Sequence, residues 1–134
     1  MAKTHTIFIS HSWDHNNTLA DLIRLIDARS HFKADYSHVN RDTPINSENA
    51  YYVKKVLKEK IKNSSIMIGL AGIFASHSEW MKWELDTALE LKIPIIGVVP
   101  RGAERISTVV SSRAVEIVRW NTESIITSIR KHAS

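Results

Sequence analysis

Two short apolar runs near the middle of the chain constrain its fold more than any other feature. The first, SSIMIGLAGI, covers residues 64–73, and the second, IPIIGVV, covers residues 93–99. A continuous apolar run of this length is typical of a strand that is buried on both faces of a parallel sheet. Between and around these runs, apolar residues recur at the spacing of amphipathic helices. The sequence therefore predicts a sheet whose strands alternate with helices.

The remaining elements follow from periodicity, capping residues and turn-forming segments. Strands are predicted at residues 4–10, 33–39, 64–73, 93–99 and 114–120. Helices are predicted at residues 17–29, 52–61, 77–91 and 122–132, with a short helix within 101–112. Strands that alternate with helices are joined by right-handed crossovers, which place helices on both faces of the sheet. We expect a three-layer α/β fold with a five-stranded parallel sheet in the flavodoxin-like order 2-1-3-4-5.

The predicted strands differ in how apolar they are. The segment at 33–39 carries few apolar side chains and is expected near an edge of the sheet. The strand residues that we expect to be mostly buried are Ile7, Ile9, Ile66, Ile68, Leu70, Ile95, Ile96, Val98 and Ile117.

Length and composition narrow the class of protein further. With 134 residues and 43% hydrophobic side chains, the chain is expected to form one domain over residues 1–134. The sequence contains no cysteine, which excludes disulfides and thiolate metal sites and suits a reducing, cytoplasmic compartment. No apolar run approaches the roughly 20 residues of a membrane span. The net charge of +4 is compatible with an anionic nucleotide, and we expect neither nucleic acid nor a membrane as partner.

Polar segments follow the carboxyl ends of several predicted strands, which is where ligands bind in open α/β sheets. These segments are residues 11–15, the loop around Arg41 and Asp42, and residues 72–84. Because parallel strands end at the same edge of the sheet, the three segments are expected to converge. The sequence therefore predicts a pocket at this edge.

One carboxylate in the last of these segments is flanked by two indole rings. Trp80 and Glu84 are four residues apart and share a face of the predicted helix, and Trp83 adjoins Glu84. A carboxylate between indole rings is partly desolvated, so its charge acts more strongly on a nearby cationic centre. The sequence leaves an alternative open, in which the tryptophans pack the helix against the sheet and Glu84 is a solvated surface acid.

Other patterns with chemical meaning are incomplete. The glycines near the apolar runs form neither a G-x-G-x-x-G fingerprint nor a P-loop. His11 and His15 have an i, i+4 spacing without a supporting helix, and no metal site is predicted. Ser10, His11 and Asp14 suggest a hydrolase triad, but no G-x-S-x-G elbow is present and Asp14 fits an N-cap. A phosphoryl-accepting receiver domain is disfavoured because the first strand ends without paired acids.

Several short motifs, in order along the chain, resemble the conserved boxes of TIR domains. The stretch FISHS at residues 8–12, with Asp14 after it, resembles the first box. Arg41-Asp42 followed by Pro44 resembles the second box, and Trp120 after the last strand resembles the third. The order and spacing of these motifs on one α/β pattern identify the chain as a member of the TIR family over nearly its whole length.

A fourth motif connects the resemblance to chemistry. Trp80 and Glu84 resemble the W-x-x-x-E motif of the TIR domains that cleave NAD+. The short, stand-alone form is most similar to bacterial TIR-like proteins, including those of the Thoeris anti-phage systems. An NAD+-cleaving enzyme of the NAD+ glycohydrolase or ADP-ribosyl cyclase type is the expectation that follows from this resemblance.

The resemblance implies that NAD+ is the substrate, that no prosthetic group is needed, and that Glu84 stands in the place of the catalytic glutamate. Nicotinamide leaves as a neutral molecule from a cationic pyridinium, so the group to be stabilised is an oxocarbenium-like ribose centre. The products would be nicotinamide and either ADP-ribose or a cyclic ADP-ribose isomer. The residues assigned to nucleotide binding are Phe8, Ser10, His11, Ser12, Asp14, Arg41, Asp42, His77, Trp80 and Trp83.

The same resemblance implies partners. In the Thoeris group the nucleotide product is a signal that activates a partner effector, and TIR domains of this kind self-associate through TIR–TIR contacts. Two other functions stay open, namely a non-catalytic TIR adaptor that acts only by association and an effector that interferes with a host pathway. The W-x-x-x-E motif favours the enzyme, because an adaptor has no chemical need for the glutamate.

Overall fold

A computed structural model of the chain describes residues 4–10, 16–29, 32–37, 50–72, 79–100 and 106–133. Within these ranges the strands are β1 (Thr4–Ser10), β2 (Lys33–Ser37), β3 (Ile66–Leu70), β4 (Ile95–Val98) and β5 (Glu116–Val118). The helices are α1 (Asn16–Asp27), α2 (Ala50–Lys62), α3 (Glu79–Glu90), α4 (Thr108–Ser111) and α5 (Thr122–His132).

The strands form one parallel sheet in the order β2-β1-β3-β4-β5, which confirms the predicted flavodoxin-like order. The second strand lies at an edge, as its polar composition predicted. From β1 the chain first adds β2 on one side and then adds β3 to β5 on the other. The strand order therefore reverses between β1 and β3, and the crevice at such a reversal is where open α/β sheets bind ligands.

Side chains on β1 alternate between two helical layers, because successive residues of a strand point to opposite faces. Ile7 and Ile9 belong to the core that the sheet shares with α1 and α5. Phe8 belongs to the opposite core, which the sheet shares with α2, α3 and α4. Ser10, two residues after Phe8, therefore faces the same layer as α3.

Two expectations about the strands need correction. Ile117 was expected to be mostly buried, but it is only half-buried, because β5 is a three-residue edge strand. The apolar run at 64–73 forms a shorter strand than expected, with β3 starting at Ile66. Ser64 lies in the preceding turn, where its hydroxyl donates to the carbonyl oxygen of Lys60 at 2.8 Å.

Most helix ends agree with the sequence-based boundaries to within two residues. The last helix follows Asn121, whose side chain accepts a hydrogen bond from the backbone N–H of Ser124, as an N-cap residue does. The expected start of α3 near His77 falls outside the described residues, and α3 is described from Glu79. Among the helices of the described ranges, none combines the length and apolar character that crossing a membrane would require.

Candidate functional site

The carboxyl end of β1 carries a wholly buried serine. Ser10 is the last residue of β1 and has no exposed surface. The alternation of the strand turns its side chain toward α3. Because α3 follows the carboxyl end of β3 through residues 71–78, the first turns of α3 lie near the same edge of the sheet. The fold therefore brings Ser10 and the start of α3 together at the edge where a ligand is expected.

A row of small residues crosses the sheet at the level of Ser10. In the strand register, Ser10 is opposite Gly69 of β3, and Gly69 is opposite Gly97 of β4. A Cβ atom at Gly69 would lie 3.2 Å from Val110 of α4 and 3.3 Å from Leu85 of α3, closer than ordinary van der Waals contact. The missing side chain at Gly69 therefore lets α3 and α4 pack closely on this part of the sheet.

Because α3 packs closely on the sheet, Glu84 of α3 forms a hydrogen bond with the end of β1. The hydroxyl of Ser10 donates a hydrogen bond to Oε1 of Glu84 at 2.7 Å. Glu84 is only 1% exposed, so the description of this residue as a solvated surface acid is wrong. A distance of 2.7 Å is ordinary for a well-formed O–H···O hydrogen bond. The site thus holds a buried carboxylate at the carboxyl edge of the two central strands.

Two tryptophans lie on the same helix as this carboxylate, and they differ in exposure. Trp80 is 9% exposed and packs in the core on the α3 side of the sheet, while Trp83 is half-buried. Their rings meet edge to face, with centroids 6.0 Å apart and planes at 83°. The prediction that Trp80 and Glu84 share a helix face agrees with their common burial. The tryptophans therefore pack the helix against the sheet, as the alternative interpretation proposed.

Lys54 is a residue of this region that sequence reasoning missed. Its Nζ atom lies 5.9 Å from the ring centroid of Trp83, across the contact between α2 and α3. The sequence showed only a helix with several lysines on its outer face. Which of them meets an aromatic ring depends on how α2 packs on α3, and the sequence alone carries no signal for that.

The expected nucleotide-binding residues divide into two groups. Phe8, Ser10, Trp80 and Trp83 lie in the described part of the chain, and Phe8 is wholly buried in the core beneath α2 and α3. Whether these residues contact a nucleotide stays a prediction. The expected residues that fall outside the described ranges are His11, Ser12, Asp14, Arg41, Asp42 and His77.

A second polar cluster lies in the opposite layer of the molecule, between β5 and α5. Ser128 donates to Oε1 of Glu116 at 2.5 Å, and Nε2 of His132 lies 3.2 Å from the same oxygen. The hydrogen bond from Ser128 is the main reason that the pKa of Glu116 lies below its ordinary value. An open groove of about 520 Å³ runs beside this cluster, along β5 and α5. It lies at the far edge of the sheet from Ser10 and is not part of the site around Glu84.

The chain matches one protein family over most of its length. The model of the family described as the TIR-like domain of the Thoeris protein ThsB matches residues 8–105. This range begins within β1 and includes α3, so it contains both Ser10 and Glu84. The resemblance drawn from the sequence motifs is confirmed by this match. No protein of curated function matches the chain.

Solved structures of low sequence identity share the fold. The CMP N-glycosidase BcmB of Clostridium botulinum has a TM-score of 0.56 at 13% identity, covering 93% of this chain and 98% of its own. A 2-deoxyribosyltransferase of Bacillus psychrosaccharolyticus has a TM-score of 0.57 at 18% identity, with 89% and 90% covered. A 3-dehydroquinate dehydratase-like protein of Bifidobacterium longum has a TM-score of 0.53 at 8% identity, with 97% and 94% covered. At these identities the likeness is one of fold alone.

Proposed function

The chain belongs to the family of TIR-like domains of the Thoeris protein ThsB, and we propose that it is an enzyme that cleaves NAD+ between nicotinamide and ribose. The observation that carries this proposal is the buried carboxylate of Glu84, joined to the end of β1 by the hydroxyl of Ser10 at 2.7 Å. An acidic side chain that served only solubility would lie at the surface. A buried carboxylate at the ligand-binding edge of an α/β sheet suits the stabilisation of positive charge.

The proposed reaction develops positive charge on the ribose. The bond between C1′ and the pyridinium nitrogen breaks, and its electron pair neutralises that nitrogen, so nicotinamide leaves as a neutral molecule. The carboxylate of Glu84 stabilises the oxocarbenium-like centre at C1′, because a charge that is shielded from water interacts more strongly. Water then attacks C1′ and releases a proton to give ADP-ribose. If a nitrogen of the adenine attacks instead, the product is a cyclic isomer.

The neighbouring side chains suit such a substrate. Trp80 and Trp83 supply aromatic surface on the helix that carries Glu84, and aromatic faces pack well against flat nucleotide rings. The ammonium group of Lys54, beside Trp83, supplies a positive charge that suits a pyrophosphate. The fold is also shared by an enzyme named as an N-glycosidase and one named as a deoxyribosyltransferase, although fold alone does not determine function.

Membership of this family supports a role for the product as a signal in bacterial anti-phage defence. In this proposal the chain takes NAD+ as its substrate and acts on a downstream effector only through the nucleotide that it releases. We expect that the reaction mixture of this protein with NAD+ activates the purified effector and that NAD+ alone does not.

Release of nicotinamide from NAD+ by the purified protein tests the proposed enzyme. We expect nicotinamide and an equal amount of ADP-ribose or a cyclic isomer, which mass spectrometry separates. Glu84→Gln keeps the shape of the side chain and removes its charge, so we expect kcat to fall by about 10²–10³. A protein that releases no nicotinamide across the concentrations at which it self-associates is an adaptor and not this enzyme.

The same helix offers a matched control for Glu84. Glu90 is the last residue of α3, is exposed, and forms a long ion pair of 3.8 Å with Lys58. Glu90→Gln makes the same chemical change in the same helix, and we expect it to leave kcat unchanged. Matched melting curves for the two variants, together with equal loss of activity in both, would contradict the role of Glu84.

A further inference from the structure

Ser10 has a different neighbour in the structure from the one that its sequence motif implies. The motif implies a contact with the nucleotide, whereas the structure turns the hydroxyl of Ser10 to the carboxylate of Glu84 at 2.7 Å. We propose that Ser10 is a positioning residue, which orients the carboxylate of Glu84 and keeps it ionised for the reaction. This inference rests on the proposed function, because it assigns Ser10 a task in the same site.

Burial makes the hydrogen bond from Ser10 hard to replace. Ser10 is 0% exposed and Glu84 is 1% exposed, so bulk water does not reach the bond between them. A buried acceptor that loses a donor cannot replace it with bulk water. Loss of the Ser10 hydroxyl therefore weakens the hold on the carboxylate of Glu84 more than the same loss would at an exposed carboxylate.

The distance between α3 and the sheet determines how long a side chain at position 10 must be to reach Glu84. Because Gly69, the neighbour of Ser10 in the register, has no side chain, Leu85 packs against the sheet and brings α3 close to β1. At this separation the one-carbon side chain of serine reaches Glu84. The hydroxyl is attached to a β-strand in the centre of the sheet, so it is a rigid reference point for a carboxylate on a helix.

The pH dependence of kcat separates positioning from nucleotide binding. Ser10→Ala removes the donor, and we expect kcat to fall by about tenfold to a hundredfold, the worth of one hydrogen bond to a charged group. KM should stay within about threefold, because the lost bond acts on the carboxylate and not on the bound substrate. The acid limb of the kcat profile should move up by roughly one pH unit or more, since the carboxylate ionises less readily.

A second variant at the same position tests the hydroxyl directly. Ser10→Thr keeps the donor and is compatible with a strand, so the acid limb should stay where it is in the wild type, even if the added methyl group lowers the melting temperature. A rise in KM with kcat and the acid limb unchanged in Ser10→Ala would overturn the proposal and make Ser10 a nucleotide contact.

The opposite layer of the molecule offers a matched control. Ser128 is 2% exposed and also donates its hydroxyl to a carboxylate, that of Glu116, at 2.5 Å. Ser128→Ala therefore removes the same type of bond far from Glu84. We expect this variant to lose thermal stability while kcat and its pH profile stay unchanged. An equal shift of the acid limb in both variants would show a general effect of destabilisation and overturn the proposal.

A titration without substrate keeps this inference separate from the proposed function. The carboxyl carbon of Glu84 can be followed by carbon-13 NMR as a function of pH, with Glu84→Gln to assign its signal. We expect half-protonation at a higher pH in Ser10→Ala than in the wild type, whether or not the protein cleaves NAD+. Identical titrations would overturn the inference about Ser10, whereas failure of NAD+ cleavage alone would overturn only the proposed function.

Discussion

Glu116 gives the fold a dependence on pH that originates in a single residue. The hydrogen bond from Ser128 holds the pKa of Glu116 below its ordinary value, burial acts in the opposite direction, and His132 and Lys131 lower it further. A carboxyl group with a lowered pKa in the folded chain stabilises the fold above its unfolded pKa. This stabilisation is lost as the pH falls through the folded pKa.

The prediction at this position concerns thermal stability. Glu116→Gln should lower the melting temperature at about pH 7 and have a smaller effect at an acid pH below the folded pKa of Glu116, where the wild-type carboxylate is also protonated. Glu59→Gln, at an exposed position of α2, controls for the loss of one negative charge. An equal difference between wild type and Glu116→Gln at both pH values would contradict the prediction. Calorimetry at the two pH values provides the measurement.

Some residue-level features could be predicted from the sequence and others could not. The spacing of Trp80 and Glu84 placed them on one helix face, and both are buried. The partner of Glu84 could not be predicted, because the Ser10 bond depends on how closely α3 packs on the sheet. The cluster of Glu116, Ser128 and His132 was missed for a similar reason, since it depends on the placement of α5 over β5.

At the scale of elements, the distance at which α3 packs on the sheet determines the geometry around Glu84. Gly69→Ala adds a Cβ atom at 3.3 Å from Leu85 and 3.2 Å from Val110, so those side chains, or the helices that carry them, must give way by a few tenths of an ångström. Overpacking of this kind costs about 1–3 kcal/mol of stability. Because the displacement acts on α3, we expect kcat to fall by about tenfold or more, as small misplacements of catalytic groups can cause.

Val110→Ala is the matched control for Gly69→Ala. It removes volume at the same contact and does not push the helix outward, so stability should fall while kcat stays within about twofold. Comparison of kcat at a temperature where both variants are fully folded is the measurement. Unchanged kcat in Gly69→Ala would show that the site tolerates movement of α3.

The elements themselves were predictable where their patterns were strong. The two apolar runs correspond to β3 and β4, and the periodic segment at 122–132 is α5. The burial of edge-strand residues was less predictable, because Ile117 has the same side chain as the buried Ile95 and Ile96 and differs from them only in its tertiary surroundings. The role of Gly69 was missed because glycines were compared with phosphate-binding motifs, whereas its function is to allow the close packing of a helix.

At the scale of the whole molecule, the surface at the start of α2 is unusually aromatic. Tyr51 is 78% exposed and Tyr52 is 70% exposed, and both lie shortly after residues 38–49, which fall outside the described ranges. Exposed tyrosines are enriched where proteins associate, because they add contact area at small entropic cost. This surface is consistent with self-association, which stays a prediction of the family resemblance.

The prediction for assembly concerns specific activity. If neighbouring protomers complete the site, specific activity should rise over about a hundredfold range of enzyme concentration, because association follows mass action. Arg41→Ala or Pro44→Ala should lower activity more in dilute than in concentrated samples. Sedimentation in the presence of NAD+ provides the matching measure of association. Flat specific activity in a protein that stays monomeric would contradict this prediction and leave the role of Glu84 intact.

The hydrogen bond between Ser10 and Glu84 joins residues 74 positions apart in the chain. A ribosome that adds about 5–20 residues per second needs roughly 4–15 seconds to synthesise that interval. During this time a nascent chain carries the serine without the carboxylate, and helix α3 still has to emerge and dock before the two can meet. If the chain has the proposed function, it would gain its chemistry only when its synthesis is well advanced, and an interrupted translation product would leave the NAD+ of the cell untouched.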